Sequence, residues 1–350
     1  METRHRVVVG DARDLAAPDD SVELVVTSPP YPMIEMWDDA FAEQSPAAGE
    51  ALDAGDGQRA YEAMHAVLDE VWAEVERVLV DGGIACVNVG DATRSVGDSF
   101  RVYPNHARVL SAFASLGLDP LPDVLWRKPT NSAAKFMGSG MVPPNAYVTL
   151  EHEYVLVFRN GGDSRSFEPG ADRRYEAAYF WEERNRWFSD VWTEVRGDLQ
   201  ALDHGELRAR SAAYPFAIPY RLINMYSAYG DTVLDPFWGT GTTSLAAMVA
   251  GRDSVGVERQ PEFVDVFDEQ VADVPDLSES VARRRLDRHR EFVAERAADG
   301  DELAYEAAHY DFPVRTKQER EIRLHAVESV ESTDEGYRVI HRPVSGDDPA

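Results

Sequence analysis

Two short stretches carry residue types whose spacing could do chemistry. In the first, the apolar run Leu24-Val25-Val26 ends in Thr27-Ser28-Pro29-Pro30-Tyr31. Proline has no N–H and a fixed φ, so backbone carbonyls here are free and rigidly aimed. A hydroxyl and a free carbonyl beside a planar aromatic could hold an –NH2 group in plane while Tyr31 stacks on the ring that bears it. In the second, Thr232-Val233-Leu234 runs into Asp235-Pro236-Phe237-Trp238-Gly239-Thr240-Gly241-Thr242-Thr243. The pattern predicts a buried strand, a glycine turn and a helix opening on hydroxyl residues. Glycines allow close approach of a ligand, and a helix N-terminus offers free N–H groups and a positive dipole end that suits a carboxylate or a phosphate. Seventeen residues past Gly241, Glu258 closes the next predicted strand, where an acid can accept hydrogen bonds from both ribose hydroxyls. Together these residues point to a nucleoside-type ligand. The dinucleotide fingerprint G-x-G-x-x-G is absent, because Ser244 stands at its third glycine.

The surrounding periodicity supplies elements to position both stretches. Val7–Val9 and Val22–Val26 read as buried parallel strands. Residues 38–57 turn acidic and rich in Ala, Gly and Asp, predicting a surface insertion. Tyr61 to Val80 keeps apolar residues at helical spacing until Asp81-Gly82-Gly83 stops it, and Ile84–Val89 then forms a strand. A helix over about 106–116 and strands near 124–126 and 154–158 follow. The alternation predicts a doubly wound α/β sheet. Between 160 and 210 the periodicity fails and arginines interleave with aromatics, among them Arg173, Arg174, Trp181, Arg184, Arg186, Trp187, Phe188, Trp192 and Arg196. Regular α/β order resumes after Pro219. A charged helix near 278–298 and a short tail end the chain.

Composition bounds the partners. The 350 residues carry 63 acidic against 35 basic side chains, a net charge of -28, and the lysines are Lys128, Lys135 and Lys317. Such an excess normally argues against nucleic acid, since phosphate contacts rely on Lys and Arg. It is spread along the whole chain, however, which fits adaptation to concentrated salt, where carboxylates hold water and repulsion is screened. Local charge must therefore decide the partner. The single cysteine, Cys86, excludes an internal disulfide and a Cys-based zinc site, and its mid-strand place predicts a core role. No run approaches the roughly 20 apolar residues that span a bilayer, so no membrane partner and a cytoplasmic address are expected. His152-Glu153 reads as a structural pair at a strand edge rather than a metal site.

Thr27-Ser28-Pro29-Pro30-Tyr31 resembles motif IV of the amino-directed DNA methyltransferases, and Asp235 to Thr243 resembles their motif I. The order, motif IV early and motif I late, is similar to that of the permuted β class. Gly10-Asp11-Ala12, Arg77 to Gly83, Glu151 to Phe158 and Tyr220 to Gly230 agree, so the likeness covers about residues 7–267. It departs where the family often has a histidine, near Arg210 and Tyr214-Pro215. The Ser-Pro-Pro-Tyr version is similar to N4-cytosine enzymes, whereas N6-adenine enzymes more often carry Asp-Pro-Pro-Tyr.

What the resemblance implies is a Rossmann-like S-adenosylmethionine-dependent methyltransferase with an inserted target-recognition region, which flips a cytosine out of duplex DNA and methylates its N4 amine. The catalytic residues would be Ser28, Pro29, Pro30 and Tyr31. Asp11 would contact the cofactor's adenine, with Asp235, Pro236, Phe237, Gly239, Gly241, Thr242 and Glu258 completing the cofactor site. Lys128, Lys135, Arg184 and Arg186 would contact double-stranded DNA. The alternatives are N6-adenine methylation by the same fold and a non-catalytic DNA-binding protein. The continuation Tyr31 to Trp37 and the acidity resemble the orphan CTAG-site methylases of salt-loving archaea. A homodimer is possible and a restriction endonuclease partner is not required. The expected divisions are 1–127 (motif IV half), 128–210 (target recognition around core strand 153–158), 211–272 (motif I half) and 273–350 (helical extension).

Overall fold

The computed structural model describes residues 1–128, 148–195 and 214–346. Ten strands form the main sheet: β1 (Glu2–Val9), β2 (Val22–Thr27), β3 (Leu79–Val89), β6 (Asp119–Arg127), β7 (His152–Arg159), β8 (Val191–Trp192), β9 (Thr232–Asp235), β10 (Asp253–Glu258), β13 (His325–Thr333) and β14 (Gly336–Pro343). Their order is β13-β14-β1-β10-β9-β2-β3-β7-β6-β8, with the apolar runs of β2, β3 and β9 buried at its centre. The central run β1, β10, β9, β2 and β3 is parallel throughout. β7 is antiparallel to β3 and to β6, and β14 is antiparallel to β1. A separate hairpin, β4 (Ala92–Val96) with β5 (Ser99–Tyr103), follows β3.

Helices cover both faces. Residues 38–57, expected as a surface insertion, hold α1 (Asp38–Gln44) and α2 (Pro46–Asp53), which bury Phe41, Ala48 and Ala51. Small residues let α2 lie close against the next helix, a packing that composition alone conceals. That helix, α3 (Gly57–Val78), starts where Asp56 accepts a hydrogen bond from the Arg59 amide. It buries Met64, Leu68, Val71, Trp72 and Val75, the predicted apolar stripe. The chain becomes strand at Leu79, earlier than the glycine pair suggests, because β3 pairs with β2 from Val22 onward. Further on come α4 (Asn105–Ser115), α5 (Asp172–Glu176), α6 (Trp181–Trp187), α7 (Ala217–Tyr226), α8 (Thr242–Ala250), α9 (Glu262–Val271) and α10 (Val274–Ala298).

Among the described residues of the extension expected to be helical over 273–350, only α10 and the 3-10 turn Lys317–Glu319 are helical. After two short strands, β11 (Tyr305–Glu306) and β12 (Pro313–Val314), the hairpin β13–β14 joins the main sheet beside β1. Alternate burial of Tyr337, Val339 and His341 in β14 supplies the period-2 signal behind that pairing. Cys86 is fully buried, and desolvation raises its thiol pKa. Among the described residues no helix is long and apolar enough to cross a membrane.

Candidate functional site

The crossover α3 leaves β2 toward β3, whereas α8 leaves the neighbouring β9 toward β10 on the other side. The strand order thus reverses between β9 and β2, and the crevice at the carboxyl ends of such strands is where open α/β sheets take ligands. Both chemical stretches open there. They are tied together: the Thr27 hydroxyl donates to Asp235 Oδ1 at 2.6 Å, and the Thr243 hydroxyl donates to Asp235 Oδ2 at 2.5 Å. The Phe237 amide donates to Asp235 Oδ1 at 3.1 Å, and the Tyr214 and Thr243 hydroxyls lie 2.6 Å apart. Asp235 is 3% exposed, and burial pushes its pKa up to about 6. Expected at the cofactor, it fastens the two loops to each other. Pro236 is buried beside it and Phe237 half-buried, its ring 5.8 Å from that of Trp72.

The glycine turn is demanding. Gly239 and Gly241 have φ of 55° and 80°, and a Cβ on Gly241 would collide with the Phe267 ring and stand 2.8 Å from Trp238. Only glycine satisfies both constraints. Thr242 then starts α8. Glu258, half-buried at the end of β10, accepts the Gly239 amide at 2.8 Å on one oxygen and the Gln260 amide at 2.9 Å on the other. Burial raises its pKa. Asp11 follows β1, whose register sets Val9 beside Glu258, so both acids line one side of the crevice. Hydrogen bonds from the Arg13 guanidinium to Asp11, at 3.0 and 2.7 Å, hold that carboxyl below its ordinary range. Thr240, 4% exposed between the two glycines, has a hydroxyl buried without a protein partner. An acid pair, a glycine turn, free helix-start amides and an unmet hydroxyl fit a ligand with ribose hydroxyls and a polar tail.

On the other side stands the Ser-Pro-Pro-Tyr loop. Ser28 Oγ lies 3.1 Å from the Tyr31 hydroxyl, which donates to Glu153 Oε2 at 3.1 Å. The Asn88 amide donates to both Tyr31 Oη and Glu153 Oε2, each at 2.8 Å, and Lys128 Nζ lies 2.7 Å from Glu153 Oε1. Burial, then the Glu153 charge, push the Tyr31 pKa well above its ordinary value. Pro29 is buried and Pro30 half-buried. Behind the loop, Asn105 Nδ2 donates to the carbonyls of Pro32 and Gly90 at 3.1 and 3.0 Å, and its Oδ1 meets His65 Nε2 at 3.0 Å. Burial lowers His65 to about 3. This anchoring supports Met33 at φ 68°, an unfavourable value for a long side chain.

Several expectations are redistributed. His152 and Glu153 are not an edge pair: β7 lies inside the sheet, strand alternation sends the two side chains to opposite faces, and Glu153 faces the Tyr31 loop. Sequence reasoning missed Glu153, Asn88, Asn105 and His65. The signal was present as a lone amide in Ile84–Val89 and a lone acid heading Tyr154–Phe158. Lys128, expected at DNA, is paired with Glu153, though its side chain stays 53% exposed. Lys135, Arg196 and Arg210 lie outside the described residues.

In the aromatic segment, Phe180, Trp187 and Trp192 are buried and cannot stack on bases. Phe180 packs into a small core with the extension and Trp192 into the core of the main sheet, while Arg285 lies over the Trp187 ring and holds Glu183 at 2.7 and 2.8 Å, both residues of that pair buried. Arg184 is exposed over Phe188 and Arg186 half-buried. Arg186 faces Arg221 and the exposed Arg288. Burial, then repulsion from Arg186 and Arg284, lowers the Arg288 pKa. This basic cluster stands out in so acidic a chain.

Comparison with known proteins agrees with this geometry. The DNA methylase family model for N6- and N4-directed enzymes matches residues 22–269. The type II methyltransferase M.MthZI of Methanothermobacter thermautotrophicus is 50% identical over 329 residues, 93% of this chain and 91% of that protein. M.MjaI, a type II methyltransferase of Methanocaldococcus jannaschii, is 47% identical over 77% of this chain and 92% of its own length. The crystal structure of TTHA0409 from Thermus thermophilus, complexed with S-adenosyl-L-methionine, is 33% identical and superposes with a TM-score of 0.60, covering 77% of this chain and 96% of that one.

Proposed function

The chain belongs to the N6/N4 DNA methylase family, and from that premise we propose that it transfers the methyl group of S-adenosylmethionine to N4 of cytosine in duplex DNA. The observation that carries the reading is the bond from Thr27 to Asp235 at 2.6 Å, which fixes the amine-holding loop beside the glycine turn. A hydroxyl rather than a carboxylate at Ser28 favours cytosine over adenine, as the resemblance implies.

S-adenosylmethionine supplies an electrophilic methyl on a sulfonium. Glu258 would take its ribose hydroxyls, Asp11 and Phe237 would flank its adenine, and Gly239, Thr240, Gly241 and Thr242 would receive its amino-acid end. Pro236 and Asp235 hold that turn in place. The target cytosine, unreachable inside the stack, swings out. Tyr31 would stack on it, while Ser28 Oγ and the Pro29 carbonyl accept its N4 hydrogens and turn the lone pair toward the methyl carbon. Pro30 keeps that carbonyl rigid. Positioning of this kind accounts for much of the rate. Lys128, Arg184 and Arg186, joined by the exposed Arg284 and Arg288, would meet the DNA, as would Lys135.

The acidic composition suits a salt-rich cell interior. The Tyr31 to Trp37 continuation supports CTAG as the recognised site, acting without an obligatory restriction partner, in a monomer or a homodimer. Duplexes differing only in that site, CTAG or its scramble, test the specificity in labelled-methyl transfer. Label confined to CTAG supports it; equal label on both overturns it.

A further inference from the structure

The hydrogen bonds around Tyr31 have only one consistent direction. Asn88 Nδ2 can only donate, and it reaches both Tyr31 Oη and Glu153 Oε2 at 2.8 Å. The Glu153 carboxylate, paired with Lys128 on its other oxygen, only accepts, so the single phenolic hydrogen points to it. Ser28, 3.1 Å from Oη, must then donate to Tyr31. The half-buried Ser28 oxygen, also 3.5 Å from Asn88 Nδ2, keeps lone-pair capacity to accept an arriving amine hydrogen. Glu153 is 7% exposed and Asn88 is 2% exposed, so water does not scramble the chain.

We propose that Glu153 is the terminal proton acceptor of the methyl transfer, reached from the amine through Ser28 and Tyr31. This rests on transfer to an exocyclic amine but not on which base carries it. As the N–CH3 bond forms and the S–CH3 bond breaks, its electron pair staying on sulfur, the amine nitrogen sheds one proton. Ser28 Oγ accepts it and passes its own hydrogen to Tyr31 Oη. Tyr31 passes its own to Glu153 Oε2, which ends as the neutral acid. Nothing is oxidised and no further reactant is needed. The burial that keeps Tyr31 protonated makes it a conduit rather than a base. The Lys128 ammonium, partly open to solvent, favours return of the proton to water.

The test compares single-turnover methylation by wild type, Glu153→Gln, Tyr31→Phe and the double variant, at saturating S-adenosylmethionine and DNA. Glu153→Gln keeps a carbonyl that accepts from Tyr31 but cannot take its proton, and Tyr31→Phe keeps the ring and removes the conduit. Each should slow the chemical step about a hundredfold or more, with unchanged affinity for S-adenosylmethionine. The double variant should be no slower than the slower single, because both cut one path. Glu153→Gln within about threefold of wild type, or losses that multiply in the double variant, overturns the relay. Should Glu153→Gln lose cofactor binding, Tyr31→Phe decides alone: a full chemical rate overturns the proposal and a matching loss supports it. Product nucleosides are read in the same reactions. Either methylated base leaves the relay test intact, while no methylated base from wild type overturns the functional reading and the relay with it.

Discussion

Asp235→Asn should make the protein more stable at neutral and alkaline pH. The carboxyl is buried and its pKa stands near 6, against an ordinary 3.8. The folded state thus holds that proton more tightly than the unfolded chain does. Stability from this residue is present in full below about 3.8, falls as pH rises toward 6, and stays reduced above. The gap corresponds to about 3 kcal/mol at pH 8. Asparagine keeps an acceptor for Thr27 and the Phe237 amide. Thr243 must turn its hydroxyl to accept from the new amide, aided by its neighbours Tyr214 and the Val26 carbonyl. That rearrangement costs about 1 kcal/mol, leaving a net gain of about 2 kcal/mol. Denaturant unfolding in constant high salt, at pH 8 and pH 4, measures it: the gain should be large at pH 8 and absent at pH 4. A variant less stable than wild type at pH 8, or a difference independent of pH, refutes the reasoning. Activity should fall in the same variant, because the charge that destabilises the fold also clamps the two loops.

Gly241→Ala should cost about 2–4 kcal/mol and abolish S-adenosylmethionine binding, since it forces a side chain at φ 80° into Phe267 and Trp238; calorimetric titration and thermal melting check it. Glu183→Gln should destabilise by about 3–5 kcal/mol, leaving the buried Arg285 guanidinium without its counter-charge, read by denaturant midpoint. Arg288→Glu should weaken DNA binding at least about tenfold and flatten its salt dependence, with S-adenosylmethionine affinity unchanged; anisotropy titrations over a salt series check both. For wild type that dependence should already be shallow, because few phosphate contacts are available to a chain of charge -28.

Local signals disclosed the parts of this site that are local. The Pro-Pro loop after β2 and the glycine turn after β9 were legible because proline and glycine constrain the backbone wherever they stand. Glu258 was legible because strand order places the end of β10 beside that turn. Asp235 was read as a cofactor residue and its bonds to the other loop were not foreseen, since nothing in Asp-Pro-Phe says which way the carboxylate turns. Thr27, 208 residues away, decides that. Glu153 and Asn88 were missed for the same reason: their role exists only once β7 pairs with β3. The aromatic-arginine segment misled in the other direction. Trp187 and Trp192 look available in sequence, yet both are buried, Trp187 beneath Arg285 of the Arg285–Glu183 pair and Trp192 in the core of the main sheet. The hairpin β13–β14 was hidden because its partner, β1, lies at the far end of the chain.

The central claim is tested most directly by mass spectrometry of nucleosides from plasmid DNA incubated with the enzyme and labelled S-adenosylmethionine in high salt, wild type beside Ser28→Ala. The account predicts labelled N4-methylcytosine from wild type and its loss in the variant, both proteins melting alike. Labelled N6-methyladenine, or N4-methylcytosine undiminished in Ser28→Ala, would contradict it.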